Sequence, residues 1–141
     1  MKSKQLSNNV YCLKIEKGEE VITTITKCCK QHNITSGYFT GIGGSNNVTI
    51  GIFNENTKKY KPHVIKQPLL EITSLVGNIS TKGNEIYLHA HINVSDSSLN
   101  VKGGHLIQAM ISITGEIFIT KCNKKLVRQF DKQAGINLLK I

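Results

Sequence analysis

The chain has 141 residues, of which 39% are hydrophobic and 19% charged, and its net charge at pH 7 is +9. That length can bury a core of its own, and the balance excludes a disordered chain. No run approaches the roughly 18 to 20 apolar residues of a membrane span, and Met1 to Asn9 lacks the apolar stretch of a secretory signal. One domain over residues 1–141 is expected, in the cytoplasm and off the membrane, with residues 1–8 as a flexible tail.

Residues 9–15 read as a first strand through Val10, Cys12 and Leu13. Gly18-Glu19-Glu20 opens one clear helix, since acidic residues in a first turn offset the macrodipole. Val21, Ile22, Ile25, Cys28 and Cys29 form its apolar stripe, and Asn33 is a left-handed stop. Strands follow at 34–43 and 47–53, flanking a turn at Gly44-Ser45-Asn46. Residues 59–66 read as an edge strand, because Pro62 has no N–H for a ladder. Residues 69–79, 85–94 and 106–121 should form the sheet centre, and 125–130 a last strand. Strands joined by short turns, with one helix, predict an α/β chain of the α+β type. Its sheet should be curved, mainly antiparallel and packed on one principal helix.

The four cysteines lack C-x-x-C spacing and read as small apolar thiols, Cys28 and Cys29 in the helix and Cys12 and Cys122 in strands. The basic balance fits a phosphate-bearing partner, and non-specific contact with DNA is retained as an expectation. Against sequence-specific readout, Arg128 is the only arginine among the 18 basic residues. Base readers favour the planar fork of arginine.

Chemistry concentrates in Glu85 to Val94. Even positions are Ile86, Leu88, Ala90, Ile92 and Val94, whereas odd positions include Tyr87, His89 and His91. With a side-chain period of two, the even set faces the core and both histidines leave by the other face, roughly 6.6 Å apart at Cα. Two imidazoles so placed can share one ion, or can lie on a solvated or interfacial face and bind nothing. His105, after Gly103-Gly104, could return beside them on the next strand. Its phase is against this, since it alternates with Ile107, Ala109 and Ile111; only a local irregularity would turn it outward. His32 reads as a helix-end residue and His63 as an edge-strand residue without a partner. Glu71 and Glu116 lie in apolar strands, where a carboxylate should be paired or functional. Gly41 to Gly44 lacks the Lys-Ser/Thr ending of a phosphate loop and reads as a turn.

Three blocks, Glu71 to Ile79, His89-Ala90-His91 and Gly103-Gly104-His105-Leu106, resemble the plants-and-prokaryotes-conserved (PPC) domain family. The likeness extends upstream to Lys17 and downstream through Glu116 to Leu139. It implies a homotrimer, a DNA-binding or regulatory role and a divalent ion, zinc on grounds of geometry, on His89, His91 and His105. The family's arginine-bearing block reads Leu69-Leu70-Glu71-Ile72 here, and no AT-hook is present. The alternative is a small zinc enzyme of unknown substrate, with Glu71 or Glu116 as second-shell group or base.

Overall fold

The computed structural model describes residues 1–141. Residues 2–7, expected within a tail, form strand β1 (Lys2–Ser7), which pairs antiparallel with β2 (Val10–Glu16) around Asn8-Asn9. The segment carries no apolar alternation because most of it stays exposed. Its order comes from the backbone ladder, which leaves no hydropathy signal.

Helix α1 (Val21–Gln31) buries Val21, Thr24, Ile25, Cys28 and Cys29; of the stripe read from spacing, Ile22 is only partly buried. Each such aliphatic side chain contributes about 1.5–3 kcal/mol when fully buried. Glu20 is the N-cap rather than a first-turn residue. Its carboxylate accepts from the backbone N–H of Ile22 (3.0 Å) and Thr23 (2.7 Å). Asn33, at φ 52°, ends the helix as expected. The helix packs chiefly on three strands; with eight strands and one short helix the molecule is mostly β-sheet, and "one principal helix" overstates its share.

Four long strands make the body: β3 (Gly37–Asn54), β4 (Lys59–Lys82), β5 (Glu85–Ser95) and β6 (Val101–Lys121). The turn expected at 44–46 does not exist. The chain runs straight through it, with the register against β4 shifting between Gly41 and Gly43 and between Ser45 and Asn47. Buried Ser45 donates to the Met110 carbonyl at 2.6 Å, replacing ladder bonds that the irregularity removes. Glycine and serine serve bulges here, and bulges bend long strands. The curvature lets β5 pair with β4 on one side and β6 on the other, so β3, β4, β5 and β6 pair in a ring. Pro62 lies on a stretch of β4 paired only to β3, as an edge residue should.

A terminal hairpin, β7 (Val127–Asp131) and β8 (Ile136–Lys140), joins β4 through a parallel pairing of Thr81 with Val127. The core of 23 buried residues includes Leu13, Ile25, Phe39, Leu75, Ile92 and Ile119. Cys28 and Cys29 are buried, and burial pushes the Cys29 thiol up to about 12. Cys122 is exposed and lies just beyond β6, outside the strand assigned to it by pattern. No helix is long and apolar enough to cross a membrane.

Candidate metal centre

His89 and His91 leave β5 on the face opposite the core, as their alternation with buried Ala90 and Ile92 requires. His105 is the cross-strand partner of His91, and on its other side it pairs with Gly51 of β3. The phase objection is removed by a bulge. The β3–β6 register slips between Thr49 and Ile50, so Leu106 and Ala109, three apart, both point inward while Ile107 turns out. Gly103 permits the close β5–β6 approach, since a Cβ there would collide with the Asn93 side chain and lie 2.9 Å from the Ile92 carbonyl.

One potential ligand atom from each of the three histidines lies within 4.8 Å of the others. Ring centroids are 5.1 Å apart for His89–His105, 5.3 Å for His89–His91 and 5.5 Å for His91–His105. A tetrahedral ion with bonds of about 2.0–2.1 Å spaces its ligand nitrogens by about 3.4 Å. Modest side-chain rotation closes that gap, and exposed His91 is free to make it. His105 Nδ1 is buried without a hydrogen-bond partner, so this ring has unmet bonding capacity. The residues fit a divalent ion.

Burial is the first cause holding His105 down to about 4, with His89, His91 and Arg128 adding to it. His89 is also held below the ordinary histidine range, first by burial and then by Arg128 and His91. Both rings are therefore neutral at pH 7, the form that ligates metals.

Tyr60 stacks on His105 at 4.2 Å and fixes its ring plane. Arg128, only 6% exposed, reaches in from β7. Its Nε donates to Ser80 Oγ (3.0 Å), Nη1 to the Asn137 carbonyl (2.8 Å) and Nη2 to Asn78 Oδ1 (2.8 Å). Nη2 also lies 3.3 Å from His89 Nδ1. A guanidinium has no acceptor, so this contact holds in the tautomer with the proton on Nε2, and an ion held by His89 would displace it. A cavity of about 360 Å³ opens here, lined by Tyr60, Tyr87, His89, His105, Arg128 and residues of the terminal hairpin.

The other sequence candidates lie elsewhere. Glu71 and Glu116 share a separate cleft with Ile42, Gly43 and Gly44. Five residues of β4 separate Glu71 from Val76, the partner of His91, or about 16 Å along the strand. Both carboxylates are exposed, neither forms an ion pair and neither lines the histidine cavity. His32 caps the helix C-terminus, bonds Ser3 Oγ at 2.9 Å and packs on Tyr11; His63 is exposed. Pattern reading missed Tyr60 and the site role of Arg128. The available signal was Arg128 itself, a lone arginine in a chain that otherwise uses lysine.

A bulged, mainly antiparallel ring with three converging imidazoles defines a small β-rich domain carrying a candidate metal centre. The chain belongs to the Plants and Prokaryotes Conserved (PCC) domain family, whose model matches residues 2–123. A solved protein from Bacteroides thetaiotaomicron, described provisionally as DNA-binding, is 30% identical with a TM-score of 0.94, covering 99% of this chain and 96% of that one. A plant- and prokaryote-conserved protein from Pyrococcus horikoshii is 31% identical with a TM-score of 0.88, at coverages of 95% and 92%. A metal-containing protein from Archaeoglobus fulgidus is 25% identical with a TM-score of 0.86, at coverages of 95% and 94%. No curated protein matches the chain.

Proposed function

We propose that this chain is a regulatory module of one domain that holds a divalent ion, zinc before others, on His89, His91 and His105. The observation that carries the reading is the convergence of three imidazoles, two of them half-buried and neutral at pH 7. The metal-containing relative supports it. Zinc is favoured because three imidazole ligands leave one tetrahedral position open. The ion would polarise a bound water or ligand oxygen there. Protein treated with chelator and then titrated with zinc at pH 7 should take up one equivalent per chain. Failure to take up any would end this reading.

Assembly as a homotrimer is supported by an exposed apolar face of Tyr38, Val76 and Phe118 on adjacent strands, continued by Ile42 and Ile113. His91 pairs with Val76, so this face borders the histidines. Light scattering should give three times the chain mass; a particle of 15.6 kDa would exclude the trimer. Non-specific DNA contact is supported by the charge of +9 and by the description of the Bacteroides protein. Affinity for duplex DNA should then fall steeply with rising salt. Four free cysteines support a reducing cytoplasm. The enzyme alternative is weakened, because no carboxylate lines the histidine cavity to serve as base.

A further inference from the structure

The cavity beside the histidines holds a charge with no counter-charge. Arg128 is 6% exposed, yet all four of its polar contacts are to neutral atoms, and no Asp or Glu lines the cavity. A buried cation is ordinarily paired, because leaving it alone in a desolvated site costs several kcal/mol. The Tyr87 ring, 5.0 Å from the guanidinium carbon, contributes only a weak cation–π contact. Four contacts also leave one of the five guanidinium N–H bonds, on Nη1, without a protein acceptor. A second unmet group is near: Asn137 lines the same cavity, and its Oδ1 is buried without a hydrogen-bond partner. The lining also includes apolar Phe130, Ile136, Leu138 and Leu139.

We propose that this cavity binds a small organic carboxylate with an apolar body, its anionic end received by Arg128 and its body by the terminal hairpin. The free Nη1–H can donate one charge-assisted hydrogen bond to a carboxylate oxygen. One carboxylate charge balances the one cation, whereas a phosphate monoester brings about 1.5 to 2 negative charges. A volume of about 360 Å³ lies in the range of small-ligand sites. Arg128 and these apolar residues belong to the terminal hairpin, beyond residue 123, where the family match ends. This ligand does not depend on the ion.

Because the chain has a single arginine, one side-chain Nε–H resonance reports the site directly. Full-length, chelator-treated protein would be titrated by NMR with acetate, benzoate and inorganic phosphate, at constant ionic strength in chloride. Benzamide is the neutral control. We expect benzoate to shift the Arg128 resonance saturably and to bind about tenfold or more tighter than benzamide, since the charged hydrogen bond is lost in the amide. Acetate should act at the same resonance but more weakly, for want of the apolar body. An Arg128→Met chain should lose benzoate binding; should it fail to fold, Leu138→Ala, which keeps the arginine, should weaken benzoate while leaving acetate unchanged. An unmoved resonance with both carboxylates, equal binding of benzamide, or a response to phosphate alone overturns the proposal. Zinc uptake, measured separately, tests the metal reading and is unaffected by these outcomes.

Discussion

Two of the cavities on this sheet are lined by polar residues that stand inside apolar strands. In the histidine cavity the marked residues meet. His91 and His105 are cross-strand partners, Tyr60 stacks on His105, and burial holds His89 and His105 neutral. In the cleft of Glu71 and Glu116 the carboxylates are exposed and unpaired, beside the likewise exposed Ile42 and Ile113. A polar residue in an apolar strand thus marks a site only when register brings a second one beside it and burial alters its chemistry. Otherwise it is an outward position on a sheet whose other face holds the core.

The largest expected contrast is in metal affinity. His105→Ala should weaken zinc binding by more than the roughly 10–100-fold typical of losing an outer partner, because it removes a ligand. Glu71→Gln with Glu116→Gln should leave zinc affinity unchanged. Competition against a chromophoric chelator measures both; a comparable loss in the two chains would erase the distinction between the cavities.

A smaller contrast is steric. A Cβ at Gly77 would overlap the Phe39 ring and stand 2.7 Å from the His89 carbonyl, whereas at Gly44 the nearest atoms, on Ile113, are at an ordinary 3.4 Å. Gly77→Ala should therefore cost about 1–3 kcal/mol in urea unfolding, as overpacking does. Gly44→Ala should stay within about 0.5 kcal/mol of the parent. Similar midpoints would show that the sheet beneath His89 gives way as readily as the cleft.

The third contrast is in pH. The unfolded chain protonates His105 near 6.5, but the folded chain does so only at about 4. Between those values the unfolded state binds more protons, so stability rises with pH across the window and levels off above it. His89, lowered for the same first reason, adds to that slope. In metal-free protein, His105→Gln should reduce the slope by about one proton. An unchanged slope would mean that His105 is not buried as a neutral ring.

Sequence by itself determined the local features whose causes are local. The α1 stripe, the left-handed stop at Asn33, the edge position of Pro62 and the outward projection of His89 and His91 follow from period, φ preference and missing donors. It also presented the spacing of the three blocks that carry the family likeness. What needed the tertiary structure was everything that depends on how strands lie beside one another. Strand β1 is ordered by a ladder and not by burial, so its residues show no pattern. Turns and bulges draw on the same glycines, so 44–46 read as a turn until β3 was seen to run through it. The outward phase of His105 comes from a slip against β3 that alternation within β6 cannot show. Arg128 is some 40 residues from His89 in the chain and meets it only because β7 docks beside the end of β4. Local preference acts over a few residues, whereas register and long-range contact are settled by the whole sheet at once.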